Sequence, residues 1–191
     1  RRLLIVGAGS LPPYLIRAHM SVRPIREVVI WNRTSARAEA LAVQLGAEGL
    51  NVKAVGDLEA AARQADIISC ATLSTAPLIE GAWLKEGAHL DLVGGFTPAM
   101  READDETLRR ARLFVDTLSG VRDAGDVGGA LAAGSLAETA LTDLAALVRG
   151  EAEGRRSAGE ITLFKSAGAA IEDLAAAELA LARFRSRPAD P

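Results

Sequence analysis

The stretch Leu3-Leu4-Ile5-Val6-Gly7-Ala8-Gly9-Ser10 decides the fold of this 191-residue chain. Its first four residues are all apolar, as in a buried strand of a parallel sheet, and a Gly-x-Gly turn follows directly. Residues 14–20 then have the composition of a helix. This order of strand, turn and helix is typical of a loop that binds the pyrophosphate of a dinucleotide, because the glycines let the backbone approach the phosphates and the helix start is positive.

The third position of this fingerprint is usually Gly or Ala, and here it is Pro12. Proline suits the first turn of a helix, although it removes one N–H donor for phosphate. A structural glycine turn in another kind of α/β protein is the alternative, but a second strand about 20 residues further on favours the dinucleotide loop. The predicted pyrophosphate contacts are Gly7, Ala8, Gly9, Ser10 and Leu11.

Strands and helices alternate along the chain. Apolar runs predict strands at 3–6, 27–31, 52–55, 67–71, 89–93, 113–116 and, more weakly, 161–164. Helices are predicted at 14–20, 35–45, 58–64 with Asp57 as N-cap, 103–111, 137–148 and 169–184, with loops at 125–129 and 150–159 and a disordered tail at 186–191. The alternation predicts an α/β fold with a Rossmann-type doubly wound parallel sheet.

Composition narrows the class of partner. The net charge is −3 without a basic run, which argues against nucleic acid, and no stretch approaches the roughly 20 apolar residues of a membrane span. Cys70 is the single cysteine, which fits a reducing compartment and predicts a cytoplasmic protein. A small molecule is therefore the expected partner. The chain lacks an initiator Met and enters a core strand almost at once, so we expect a longer natural protein.

The end of the second strand indicates which nicotinamide cofactor is preferred. NAD-binding proteins place a carboxylate there for the ribose 2′-hydroxyl, whereas this chain has Trp31-Asn32-Arg33-Thr34. Arg33 can pair with a 2′-phosphate, and Asn32 and Thr34 can add hydrogen bonds, so we predict NADP(H) over NAD(H). In the alternative interpretation, Arg33 is a solvated surface residue and Thr34 or Ser35 caps the next helix.

Several motifs together resemble the ornithine cyclodeaminase/mu-crystallin family. They include the glycine loop, Trp31-Asn32-Arg33-Thr34, Trp83-Leu84-Lys85-Glu86-Gly87-Ala88-His89, Ala124-Gly125-Asp126 and Ile161-Thr162-Leu163-Phe164-Lys165-Ser166-Ala167-Gly168. The resemblance covers nearly the whole chain. Family members carry a further segment before the glycine strand that supplies the substrate pocket and the dimer interface. The resemblance thus implies a Rossmann NADP-binding domain at 1–150, a segment 151–191 that packs on the missing domain, and a homodimer at full length.

The resemblance also implies which residues line the cofactor crevice. Ala71, Thr72 and Leu73 follow the fourth strand, Val93 should lie against the nicotinamide, and Ser166 should lie near its carboxamide. These positions also agree with the rule that ligands bind beyond the carboxyl ends of parallel strands. The alternatives are a cap or turn for Thr72 and core packing for Val93.

One position departs from the cyclodeaminase pattern. Cyclodeaminases of this family carry an Asp just after Val-Gly-Gly, and here that residue is Phe96. A phenyl ring cannot hold an ammonium by a charge pair, but it can pack against an apolar ring. The stretch 89–105 resembles the family's Δ1-pyrroline-2-carboxylate reductases, which implies NADPH-dependent reduction of a cyclic imine to an amino acid such as L-proline. The alternatives are an ornithine cyclodeaminase, an amino-acid dehydrogenase, or a mu-crystallin-like protein that binds NADPH and a ligand.

Other reactive side chains are weaker candidates. Cys70 is predicted to be a packing residue, and neither His19 nor His89 has the neighbours of a metal site or catalytic triad. Asp126 is expected to cap a turn, with substrate contact as the alternative. The pattern leaves open which charged groups pair with Lys165, Glu172 and Asp173. The catalytic residues stay unknown.

Overall fold

The computed structural model describes residues 1–186, which form one parallel sheet of eight strands with helices around it. The strands are β1 (Arg2–Val6), β2 (Glu27–Trp31), β3 (Val52–Ala54), β4 (Ile67–Cys70), β5 (His89–Leu92), β6 (Ala111–Val115), β7 (Leu141–Asp143) and β8 (Ile161–Lys165). The helices are α1 (Pro12–Val22), α2 (Ser35–Ala47), α3 (Leu58–Gln64), α4 (Asp105–Arg110), α5 (Gly125–Ala132), α6 (Leu144–Val148) and α7 (Ala170–Arg185). The predicted α/β class and Rossmann-type sheet are confirmed.

Alternating strand residues divide the core into two layers. In β1, Leu3 and Ile5 pack in a buried cluster with Ile16 of α1, whereas Leu4 and Val6 face the opposite cluster, which contains Leu108 of α4. Successive side chains of a strand point to opposite faces of the sheet. Helices therefore cover both faces, which is why the central strands read as continuous apolar runs.

The last strand lies inside the sheet and not at its edge. The order is β3-β2-β1-β4-β5-β8-β6-β7, so Ile161–Lys165 pairs with β5 on one side and β6 on the other. The predicted division at residue 150 therefore falls between two strands of one sheet. Whether 151–191 packs on a further domain stays a prediction.

Two predicted segments were wrong. The glycine-rich run 125–129, predicted as loop, begins helix α5, in which Asp126 and Val127 are buried. The predicted helix 137–148 is instead a 3-10 turn, strand β7 and the short helix α6. Pairing of Leu141 with Leu113 of β6 draws this segment into the sheet, and tertiary pairing of this kind overrides local helix propensity.

Aspartate caps mark the start of α3, α4 and α6 among the described helices. Asp57 caps α3 as predicted, since its Oδ1 accepts a hydrogen bond from the Ala60 N–H at 3.0 Å. Asp104 caps α4, which is shorter than predicted because β6 begins directly after Arg110. Beyond Ser186, the predicted disordered tail lies outside the described residues. Among residues 1–186, no helix has both the length and the apolar composition needed to cross a membrane.

Candidate dinucleotide-binding cleft

The predicted cofactor residues follow one row of paired residues at the carboxyl edge of the sheet. Val6 pairs with Trp31 and with Cys70, Cys70 pairs with Leu92, and Leu92 pairs with Lys165. The residues that directly follow these five strand ends are Gly7 after β1, Asn32 after β2, Ala71 after β4, Val93 after β5 and Ser166 after β8. The register thus places five predicted contacts from five strands side by side, where ligands of open α/β sheets bind.

Gly7 has a conformation and a neighbourhood that exclude a side chain. Its φ is +114°, and a Cβ at this position would lie 2.6 Å from the Ala71 carbonyl oxygen. Its N–H donates to the Trp31 carbonyl at 2.8 Å. A glycine is required here because the turn that leaves β1 passes directly over the end of β4.

The remainder of the glycine loop is open. A Cβ at Gly9 would meet no atom within 4 Å, and Ser10 and Leu11 are exposed. The backbone N–H groups of Gly9, Ser10 and Leu11 find no acceptor among residues 1–186. Free N–H groups at the start of the eleven-residue helix α1 suit an anion, so the loop fits a pyrophosphate.

Asn32 shapes the glycine loop. Its Oδ1 accepts a hydrogen bond from the Ala8 N–H at 3.2 Å, and its Nδ2 donates to the Thr34 carbonyl at 2.9 Å. Arg33 is exposed, and its guanidinium forms no hydrogen bond or ion pair within the described part of the chain. Thr34 occupies the N-cap of α2 without a side-chain hydrogen bond, so the simple capping interpretation gains no support.

The residues after β4 and β5 differ in how firmly they are held. Thr72 donates from its N–H and its hydroxyl to Glu102 Oε1, at 2.7 and 2.8 Å. Val93 is half-buried and donates its N–H to the Cys70 carbonyl, whereas the Leu73 side chain is 69% exposed. The Thr72 hydroxyl is therefore already committed within the protein.

Ser166 and Phe96 complete the edge. The Ser166 N–H donates to the Leu92 carbonyl at 3.1 Å, and its hydroxyl is 3.5 Å from Asp116 Oδ2. The same carboxylate oxygen accepts hydrogen bonds from the N–H groups of Ala167 and Gly168 at 2.6 Å each, which fixes the turn after β8. The phenyl ring of Phe96 is 54% exposed and presents apolar surface just beyond β5.

A buried group of charged side chains, which was not predicted as a unit, lies under these loops. Glu102, Asp126 and Lys165 are each fully buried. The Lys165 ammonium is 3.5 Å from Asp126 Oδ2, so Asp126 pairs with a lysine as well as holding backbone. The sequence offered one signal for this group, because the charged residue Lys165 directly follows the predicted strand 161–164.

Burial changes how two nearby groups titrate. Burial raises the pKa of the Glu102 carboxyl from 4.5 to about 7, with the neighbouring Asp126 adding to the rise, although the Thr72 hydrogen bonds and Lys165 oppose it. Burial also raises the pKa of the Cys70 thiol well above its usual value. Cys70 is therefore a neutral packing residue, in agreement with its position inside β4.

The two histidines have structural contacts. His19 Nε2 of α1 lies 3.2 Å from Asp91 Oδ2 of β5, and His89 Nδ1 lies 2.8 Å from Thr162 Oγ1. Burial lowers the pKa of His89 to about 4, so this side chain is neutral at physiological pH. No three His, Cys, Asp or Glu side chains among residues 1–186 are grouped to hold a metal ion.

Known proteins match nearly all of this chain. The sequence profile of the ornithine cyclodeaminase/mu-crystallin family matches residues 1–187. Protein SAR DEFICIENT 4 of Arabidopsis thaliana is 41% identical over 191 aligned positions, and the match covers 97% of this chain and 59% of that protein. The Delta(1)-pyrroline-2-carboxylate reductase of Paracoccus denitrificans is 45% identical over 177 residues, 91% of this chain and 56% of that protein.

A solved structure agrees with these relatives. The Delta(1)-pyrroline-2-carboxylate reductase of Thermococcus litoralis, in complex with NADH and L-proline, superposes with a TM-score of 0.91 and 34% identity, covering 94% of this chain and 57% of that one. This chain therefore spans a little more than half the length of the relatives it matches. The sequence profile, the relatives and the fold agree that this chain belongs to the ornithine cyclodeaminase/mu-crystallin family.

Proposed function

We propose that the natural protein uses NADPH to reduce a cyclic imine carboxylate of the Δ1-pyrroline-2-carboxylate type to a cyclic amino acid such as L-proline. The main support for this proposal is the row of predicted cofactor residues at the carboxyl edge of the sheet. At this edge the exposed ring of Phe96 occupies the position where the cyclodeaminases of this family have a carboxylate. Two relatives named for this reduction, from Paracoccus and Thermococcus, support the same reaction.

The residues of the cleft take distinct parts in this proposal. The free N–H groups at Gly9, Ser10 and Leu11 bind the pyrophosphate, together with Gly7 and Ala8 of the same loop. When bound, the nicotinamide supplies the hydride that the C=N carbon accepts. The residues proposed to line its pocket are Ala71, Thr72, Leu73, Val93 and Ser166. Phe96 packs against the apolar ring of the imine and keeps water away from it.

The preference for NADPH rests on the turn after β2. Arg33 is exposed and has no carboxylate partner among the described residues, so its guanidinium is free to pair with a 2′-phosphate. No acidic residue occurs in Trp31-Asn32-Arg33-Thr34 to repel that phosphate. The Thermococcus enzyme was solved with NADH, so the proposed NADPH preference rests on these residues of this chain alone.

We also propose a homodimeric natural protein in the cytoplasm. All sixteen residues of α7 are exposed, including the large apolar side chains of Ile171, Leu174 and Phe184. An exposed apolar surface of this kind usually marks an interaction site. We propose that α7, within the segment from 151 onward, packs on a substrate and dimer domain that precedes this chain in the natural protein.

The test is an assay of the purified natural protein at full length with Δ1-pyrroline-2-carboxylate. We expect NADPH oxidation with formation of proline, and NADPH should bind more tightly than NADH in a direct titration. Ammonia release from ornithine would instead identify a cyclodeaminase, and oxidation of an amino acid alone would identify a dehydrogenase. NADPH binding without turnover of any cyclic imine would favour a mu-crystallin-like binding protein.

A further inference from the structure

The fully buried side chains of Glu102, Asp126 and Lys165, which we call the buried trio, come from three separate parts of the chain. Glu102 lies between β5 and α4, Asp126 lies in the first turn of α5, and Lys165 ends β8. None of the three belongs to the predicted cofactor residues. Their contacts nevertheless all lead to the loops that carry those residues.

Lys165 fixes the loop after β5. Its ammonium donates to the Leu92 carbonyl at 3.3 Å and to the Gly94 carbonyl. These two carbonyls flank Val93, the residue proposed to face the nicotinamide. The position of Val93 therefore depends on a lysine that itself has no access to the cleft, because its side chain is fully buried.

Asp126 and Glu102 connect the neighbouring segments. Asp126 Oδ1 accepts hydrogen bonds from the N–H groups of Glu102 and Ala103 at 2.8 and 3.0 Å. Glu102 Oε1 then holds the N–H and the hydroxyl of Thr72. The loops after β4 and β5 and the segment before α4 are thus tied to one buried group of charges.

Two glycines bring the β5 loop directly onto the trio. A Cβ at Gly94 would meet the Thr72 carbonyl oxygen and lie 2.5 Å from Glu102 Oε1. A Cβ at Gly95, whose φ is +65°, would lie 2.6 Å from Asp126 Oδ2. No side chain fits between this loop and the trio, so a shift of the trio displaces the loop directly.

Burying three ionisable groups is a costly way to hold loops together. Glu102 Oε2 and Asp126 Oδ2 have no hydrogen-bond partner among residues 1–186. Well-packed apolar side chains of similar volume are often at least as stable as a buried ion pair. Within this range Glu102 Oε2 thus has no partner, and Asp126 Oδ2 has only the 3.5 Å ion-pair contact with Lys165. A buried group that leaves two oxygens without hydrogen bonds yet directs its other bonds to cleft loops points to positioning and not to stability.

We propose that the buried trio is the positioning centre for the nicotinamide end of the cleft. Lys165 holds the carbonyls on either side of Val93, and Asp126 and Glu102 hold the Thr72 loop against it. The adenosine end, formed by the glycine loop and the turn after β2, takes its side-chain hydrogen bonds from Asn32 and none from the trio. This role rests on the nicotinamide cofactor proposed above.

The test compares two nucleotides by titration calorimetry on the full chain. NADPH occupies both ends of the cleft, whereas 2′,5′-ADP occupies only the adenosine end. The double variant Lys165→Met with Asp126→Asn removes both charges and keeps the Oδ1 acceptor. We expect NADPH to bind at least tenfold more weakly, as for loss of a charge-assisted hydrogen bond, while 2′,5′-ADP binds within twofold of the natural chain.

Two further variants make the outcome decisive. Asp126→Asn alone is a milder change for the case in which the double variant does not fold. Its Oδ1 can keep the two backbone hydrogen bonds and only the charged contact with Lys165 is lost, so we expect about a threefold loss confined to NADPH. Thr162→Val is the matched control, because it removes a buried polar contact at the other end of β8 and should leave the affinity for both nucleotides unchanged.

Unchanged NADPH affinity in the Lys165 and Asp126 variants, or an equal loss of affinity for both nucleotides, would overturn the positioning role. Failure of the natural chain to bind either nucleotide would contradict the cofactor site itself, and this role with it.

Discussion

The two halves of the sheet are built on different principles. In the half formed by β1, β2 and β3, every buried strand residue is apolar and the cofactor contacts come from short local motifs. In the half formed by β5, β8 and β6, buried polar residues such as Asp91, Thr162 and Lys165 occur among apolar ones, and their partners come from distant segments. Substitutions in the first half should therefore act through the loss of local contacts. Substitutions in the second half should act by displacing loops.

The largest effect is expected where the second half is most crowded. Gly94→Ala places a Cβ against the Thr72 carbonyl and Glu102, and overpacking against backbone should destabilise the fold by more than about 3 kcal/mol. Gly129→Ala in α5 is the matched control, because its Cβ would meet no atom within 4 Å and should stabilise the helix slightly. Urea unfolding of both variants measures the difference, and equal stability would show that the β5 loop yields easily.

The buried carboxyl of Glu102 makes stability depend on pH. Its pKa is about 7 in the folded chain and near 4.5 when unfolded, so the folded state binds the proton more tightly. This stabilisation is complete below pH 4.5 and is lost as the pH rises through 7, with a loss on the order of 1 kcal/mol between pH 6 and 8. Glu102→Gln mimics the neutral form and should remove this loss in thermal unfolding. A variant that keeps the full pH dependence would contradict the assignment.

In the first half, Arg33 should decide the choice of cofactor without affecting the fold. Arg33→Ala is expected to weaken NADPH binding by about tenfold while leaving NADH unchanged, because only NADPH carries the 2′-phosphate. Arg37→Ala, on an exposed turn of α2, is the control. Fluorescence titration with both cofactors measures the ratio. A parallel loss of both would mean that Arg33 contacts the shared adenosine.

The smallest effect concerns a local cap. Asp57→Ala removes the acceptor for the Ala60 N–H at the start of α3 and should cost about 1 kcal/mol. Asp57→Asn can keep that hydrogen bond and should cost less. Thermal unfolding compares the two. Cofactor binding should stay unchanged in both variants, because α3 contributes no residue to the cleft, and a change would show that this helix is coupled to it.

How far the sequence could predict this protein differs from element to element. The strand, the glycine turn and the helix of the first half were readable because each signal lies within a few residues, as does the Asp57 cap. The helix α5 was missed because its glycines read as loop, although Gly125 and Gly128 permit close packing that a Cβ would prevent. Strand β7 was missed because it forms only by pairing with β6.

The amino-acid sequence by itself determined the α/β class, the position of the glycine loop, the Asn32-Arg33-Thr34 turn and the family. These depend on local order and periodicity, which a chain carries without folding. Only the tertiary structure decided that β8 lies between β5 and β6 and that Glu102, Asp126 and Lys165 meet beneath the cleft. Residues more than 20 positions apart meet only when strand pairing and burial place them together. The pairing and the titration of their charged groups depend on that buried environment.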